Sequence, residues 1–119
     1  MKIYVIGTDK CWLAKVASLE SSFDIKILNC LPTDDSCTGS LPIPMDNDVL
    51  LVEDDLLEKI VPIIQKIHQI GWKNTILVSA GYANHAAYKL LRSGAILDIW
   101  KKSYNLDDIK HDLNLCCAP

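Results

Sequence analysis

No apolar run in these 119 residues approaches the roughly 20 needed to cross a bilayer. The first residues also lack the basic-then-apolar pattern of a secretion signal. The expectation is therefore a cytoplasmic protein that makes no use of a membrane. Positive charge is scarce: 12 Lys and Arg against 15 Asp and Glu give a net charge of −3. That balance offers no basic face for nucleic acid. The five cysteines, Cys11, Cys30, Cys37, Cys116 and Cys117, form no Cys-x-x-Cys or Cys/His grouping of the kind that holds zinc. Free thiols in a reducing compartment are expected. His68, His85 and His111 fall on different predicted helices and do not make a metal site. With half the residues hydrophobic and 23% charged, disorder is excluded, and the length admits one domain, residues 1–119.

The chain alternates between two periodicities. Lys2–Ile6 reads as a strand, and Gly7-Thr8-Asp9 turns it. Trp12, Leu13, Val16 and Leu19 recur at helical spacing, which predicts a helix to about Ser21, capped by Thr8 or Asp9. Phe23–Leu28 alternates apolar with polar and reads as an edge strand. Residues 29–47 carry Pro32, Pro42, Pro44 and Gly39 with no apolar stripe, and read as a long irregular loop.

Val49–Val52 is a continuous apolar run suited to a strand covered on both faces. Beyond it, Ile60, Ile63, Ile64 and Ile67 trace a helix to Ile70, starting near Val61 or kinked there by Pro62, with Gly71 as its C-cap. Thr75–Ser79 is a further buried strand. Asn84 caps a helix closed by Gly94, Ile96–Trp100 is a fifth strand, and Asn105 caps a last helix. The order predicts an α/β fold: a doubly wound, five-stranded parallel sheet with helices on both sides.

The run Val49–Val52 ends in Glu53, Asp54 and Asp55. In an open α/β sheet, ligands and chemistry collect at the carboxyl ends of the strands. Three acids there are open to more than one reading: a metal or phosphoryl site, a fixed charge cluster, or a solvated helix start.

Met1-Lys-Ile-Tyr-Val-Ile6, Ser79-Ala80 followed by Tyr88-Lys-Leu-Leu-Arg-Ser-Gly94-Ala95, and Lys101 at the end of strand five together resemble the receiver domain of bacterial response regulators. The resemblance covers nearly the whole chain. It implies the flavodoxin-like strand order 2-1-3-4-5, with the family's second helix replaced here by the loop 29–47. It also implies a set of roles. The phosphoacceptor position falls on Glu53, or on Asp54 if the register moves by one. The switch hydroxyl and lysine fall on Ser79 and Lys101. The family's metal-binding acids fall on Gly7 and Thr8, leaving Asp9, Asp54 or Asp55 as substitutes, and the aromatic switch position falls on Asp98.

Two of the four elements survive, so the chain resembles a pseudo-receiver, in which Glu53 stands as a permanent anion near Lys101 and Ser79. Such a module is not an enzyme, takes no cofactor and acts through a protein partner or a second copy of itself. Domains of this kind are found in transcription factors, clock-related proteins and partitioning-type ATPases of pilus assembly. The resemblance places the docking face on the helix carrying Tyr88 and Leu91, on strand five with Trp100, and near Tyr104. Two other functions stay open: an orthodox receiver that uses Asp54 with Mg²⁺, and an unrelated flavodoxin-like binder. Gly7-Thr8-Asp9-Lys10 is a poor phosphate loop for a flavin carrier, and Cys11 comes late for a phosphocysteine enzyme.

Overall fold

The computed structural model describes residues 2–30, 39–54, 60–79 and 85–116. Five strands, β1 (Lys2–Gly7), β2 (Asp24–Asn29), β3 (Val49–Asp54), β4 (Thr75–Ser79) and β5 (Asp98–Lys101), form one sheet in the order β2-β1-β3-β4-β5. All four pairings are parallel. The described helices are α1 (Lys10–Ala17), α2 (Ile60–Ile70), α3 (His85–Ser93) and α4 (Leu106–Cys116). This is the expected doubly wound architecture, with the alternating strand β2 at an edge.

Strand pleating sends successive side chains to opposite faces, and the core divides accordingly. Tyr4, Ile6, Leu50, Val52 and Leu77 pack under α2 and α3 with Ile64, Ile67 and Leu90. Ile3, Val5, Val49, Leu51, Ile76, Val78 and Trp100 pack under α1 and α4 with Trp12, Val16, Ile109 and Leu113. Every residue of β3 is buried, which explains its unbroken apolar run and also places Glu53 and Asp54 inside the strand. Both acids extend β3 past its predicted end at Val52.

Helix ends follow local chemistry. The Asp9 side chain accepts from the backbone amides of Cys11 and Trp12, so Asp9 caps α1. The helix stops at Ala17 rather than near Ser21. Ser18 Oγ donates to the Lys15 carbonyl, and a turn through Leu19 brings the chain to β2. The described helix α2 begins at Ile60, next to the expected start near Val61, and Pro62 falls in its first described turn, where a missing amide costs little. Gly71 (φ 117°) and Gly94 (φ 82°) end α2 and α3 in the left-handed conformation expected of a C-cap.

The loop expectation for 29–47 falls largely on residues 31–38, outside the described residues, as do Asn84, Asp55 and Ala80. Of its described part, Gly39 has helical backbone and Leu41 is buried in the core. Free thiols hold for exposed Cys11 and not for Cys30. The Cys30 sulfur is in a disulfide whose partner lies outside the described side chains, which corrects the expectation there. Among the described residues no helix is long and apolar enough to cross a membrane.

At the amino-terminal end of the sheet Asp48 is buried and holds three segments together. Its Oδ1 accepts from Lys2 N and its Oδ2 from Met45 N, each at 3.0 Å, while Asn74 Nδ2 donates to the Asp46 and Asp48 carbonyls. Asp48→Ala would leave the part-buried amides of Lys2 and Met45 without this acceptor. It is expected to lower stability by about 2 kcal/mol in urea unfolding.

Candidate functional site

The carboxyl ends of β1, β3 and β4, with the turn after β5, meet at one rim. Register brings Ile6 opposite Val52, Asp54 opposite Ser79, and Ser79 opposite Lys101. By the alternation of β3, Glu53 shares a face with Val49 and Leu51, toward α1, and Asp54 shares the opposite face with Leu50 and Val52.

Glu53 is 1% exposed, and its carboxylate turns to the start of α1. Oε2 accepts from the backbone amides of Thr8 at 3.2 Å and Asp9 at 3.1 Å. Those amides precede α1, where the helix dipole adds to the attraction for an anion. Lys102 completes the cluster: its ammonium lies 3.0 Å from Asp9 Oδ2 and 3.4 Å from Glu53 Oε1. The hydrogen bond from Lys102, followed by that from the Trp12 amide, holds the Asp9 carboxyl below the usual aspartate pKa.

Gly7 makes room for this arrangement. A Cβ built on it would overlap Glu53 Oε2 and crowd Glu53 Cβ. The identities of residues 7 and 53 are thus sterically linked.

A divalent magnesium ion, which the receiver resemblance ties to this rim, does not fit the donors that Gly7, Thr8, Asp9 and Glu53 bring among the described residues. Such an ion requires several oxygen ligands in near-octahedral array. Gly7 and Thr8 bring no carboxylate. Asp9 spends one oxygen on the α1 cap and the other on Lys102, and Glu53 Oε2 is held by two amides. A fixed cation, the Lys102 ammonium, already stands between the two acids. Among the described residues no group of three His, Cys, Asp or Glu side chains could hold a metal.

The lysine at this cluster is Lys102, where the resemblance points to Lys101. Lys101 ends β5 and is exposed. Strand parity accounts for the difference. Trp100 lies on the α1 side with Glu53, so by alternation Lys102 returns to that side and Lys101 does not. Counting faces from Trp100 was the available signal. Ser79 is buried beside Asp54, and its carbonyl accepts the Lys102 amide at 2.9 Å. Asp98 spends its carboxylate on the Ile99 amide and the Trp100 indole N–H.

The expected aromatic docking patch does not hold together. Trp100 is fully buried, its ring tilted on half-buried Tyr104 at 6.4 Å, under α1 and α4. Leu91 is half-buried on the other side of the sheet, and Tyr88, at 49%, is the exposed member.

The cluster can be probed by substitution and by acid. Gly7→Ala should destabilise the domain by roughly 1–3 kcal/mol through overpacking. In a double-mutant cycle with Glu53→Ala the two changes should couple by about 1 kcal/mol or more, because the added methyl meets the Glu53 carboxylate. Since folding lowers the Asp9 pKa from its ordinary 3.8, the stability it contributes is complete above pH 3.8 and is lost as pH falls through the lower folded value. In Lys102→Met, an NMR titration should find Asp9 closer to 3.8, with less of this acid-dependent loss.

No family model and no curated protein matches the chain. Solved structures do. An adenylate cyclase from Rhodopirellula baltica superposes with a TM-score of 0.74 at 18% identity, covering 98% of this chain and 86% of that one. A putative CpaE2 pilus assembly protein from Sinorhizobium meliloti 1021 gives 0.72 at 15% identity, over 98% and 99%. A CheY-like response regulator receiver domain protein from Methanospirillum hungatei JF-1 gives 0.70 at 16% identity, over 97% and 94%. At these identities the likeness is one of fold, and the fold of this chain is that of the response-regulator receiver domain.

Proposed function

We propose that this chain is a receiver-fold signalling module that works without phosphorylation, by contact with a protein partner or with a second copy of itself. The observation that carries this reading is the Glu53 carboxylate, buried near the end of β3 and already engaged by the Thr8 and Asp9 amides and the Lys102 ammonium. In an orthodox receiver the acceptor must be free to attack a phosphorus atom, and a metal must offset the charge that develops. Here a built-in anion and a built-in cation occupy that rim.

Asp54, the other candidate acceptor, is 5% exposed and by strand parity belongs to the opposite face from the cluster. A covalent phosphoryl group is therefore not needed to bring an anion to the lysine. Glu53 supplies one permanently, and the domain is held in one conformation. Such a module signals by being present, bound or assembled. Exposed Tyr88 on α3, with Leu97 at 40% exposure ahead of β5, supports the face on that side of the sheet as the place of contact. The similarity to a pilus assembly protein as well as to a CheY-like receiver supports a role as an assembly module. The module is not an enzyme on this reading.

Incubation with acetyl phosphate and Mg²⁺, followed by intact-mass measurement, should give no phosphate adduct. Amide NMR spectra should be unchanged by beryllofluoride and Mg²⁺. An adduct that disappears in Asp54→Asn would defeat this reading and favour an orthodox phosphoacceptor.

A further inference from the structure

Lys102 reaches the cluster on a long, flexible side chain from a turn, so something must fix its backbone. Two bonds do. Its amide donates to the Ser79 carbonyl at 2.9 Å. Its carbonyl accepts from the ammonium of Lys15, 2.7 Å away, and the same ammonium donates to the Tyr104 carbonyl at 2.9 Å. Lys15 is separated from these two residues by 87 and 89 positions in sequence. Its ammonium also lies 5.8 Å from the centre of the Trp12 ring, one turn earlier on α1. The side chain is half-buried, and among the described residues its ammonium makes no ion pair with a carboxylate.

We propose that Lys15 is a positioning residue for the rim: by gripping the Lys102 and Tyr104 carbonyls it fixes the turn between β5 and α4 and aims the Lys102 ammonium at Glu53 and Asp9. This deepens the phosphorylation-independent reading and rests on it. Helix α1 then acts on the cluster twice. Its cap, Asp9, is a partner of Lys102, and Lys15, on the same helix, holds the backbone from which Lys102 extends. A hydrogen bond from a charged donor is stronger than one between neutral groups, and Lys15 directs two of them at carbonyls that flank a single residue, Ser103. The Tyr104 ring packs on Trp100, so the same grip ties the turn to the core under α1 and α4. Any partner that pulled this turn away from α1 would loosen Lys102 from its acids without touching them.

The test reads the lysine ammonium groups directly in ¹H–¹⁵N spectra of the whole chain. In the wild type, Lys102 should give a resolved ammonium signal, protected from exchange by its acids. Glu53→Gln combined with Asp9→Asn, which removes both charges, should abolish it. Lys15→Met, which keeps the stem over Trp12 and removes the charge, should abolish it too, and Lys15→Arg should retain it. A Lys102 signal unchanged in Lys15→Met but lost in the double variant would overturn the role of Lys15 and leave the rim intact. A signal absent from the wild type, or indifferent to the double variant, would overturn the reading of the rim itself and this inference with it. Should Lys15→Met fail to fold, couplings across the hydrogen bonds from Lys15 Nζ to the carbonyl carbons of Lys102 and Tyr104 in the wild type decide the matter. Their presence supports the grip, and their absence overturns it.

Discussion

A buried carboxylate at the end of the middle strand is the constraint from which the rest of this rim follows. Glu53 sits where water is nearly excluded, and an uncompensated charge there would cost several kcal/mol. The fold answers with three donors: two backbone amides at the start of α1 and the ammonium of Lys102. Each answer imposes something on the sequence. The amides demand that β1 end beside Glu53 with no side chain in the way, which makes residue 7 a glycine. The ammonium demands that the turn after β5 be fixed, which engages Ser79 and Lys15.

Buried ion pairs are poor sources of net stability, because desolvation offsets much of the attraction. Their better-attested effect is to select one arrangement over others. Glu53, Lys102 and Asp9 join β3, the turn after β5 and the start of α1, the elements whose ends form the rim. The ends of these elements are thereby tied to one another. One steric fit accounts for two residue types at this rim. The glutamate at 53 and the glycine at 7 are two sides of that fit.

Most of the architecture was legible in the sequence. The apolar runs at 2–6, 49–52 and 75–79 could only be covered strands, and the helical stripes between them forced parallel pairing. Caps at Asp9, Gly71 and Gly94 were readable because they depend on one residue's own chemistry. The docking patch was not readable. Trp100, Tyr104, Leu91 and Tyr88 lie close in sequence, yet the sheet separates Trp100 from Leu91, and nearness along the chain says nothing of that. The Cys30 disulfide was missed for the same reason, since an odd cysteine count carries no pairing.

What the sequence alone determined was the order of strands and helices along the chain and the acids that follow the apolar run of β3. Each of these is a local matter of periodicity or residue type. What only the tertiary structure decided was which lysine meets that acid. Lys101 and Lys102 are indistinguishable as letters, and one step along a strand or its exit turns a side chain to the other face of the sheet. The choice fell to the packing of Trp100 beneath α1 and to the carbonyls that Lys15 holds, contacts between segments more than eighty residues apart.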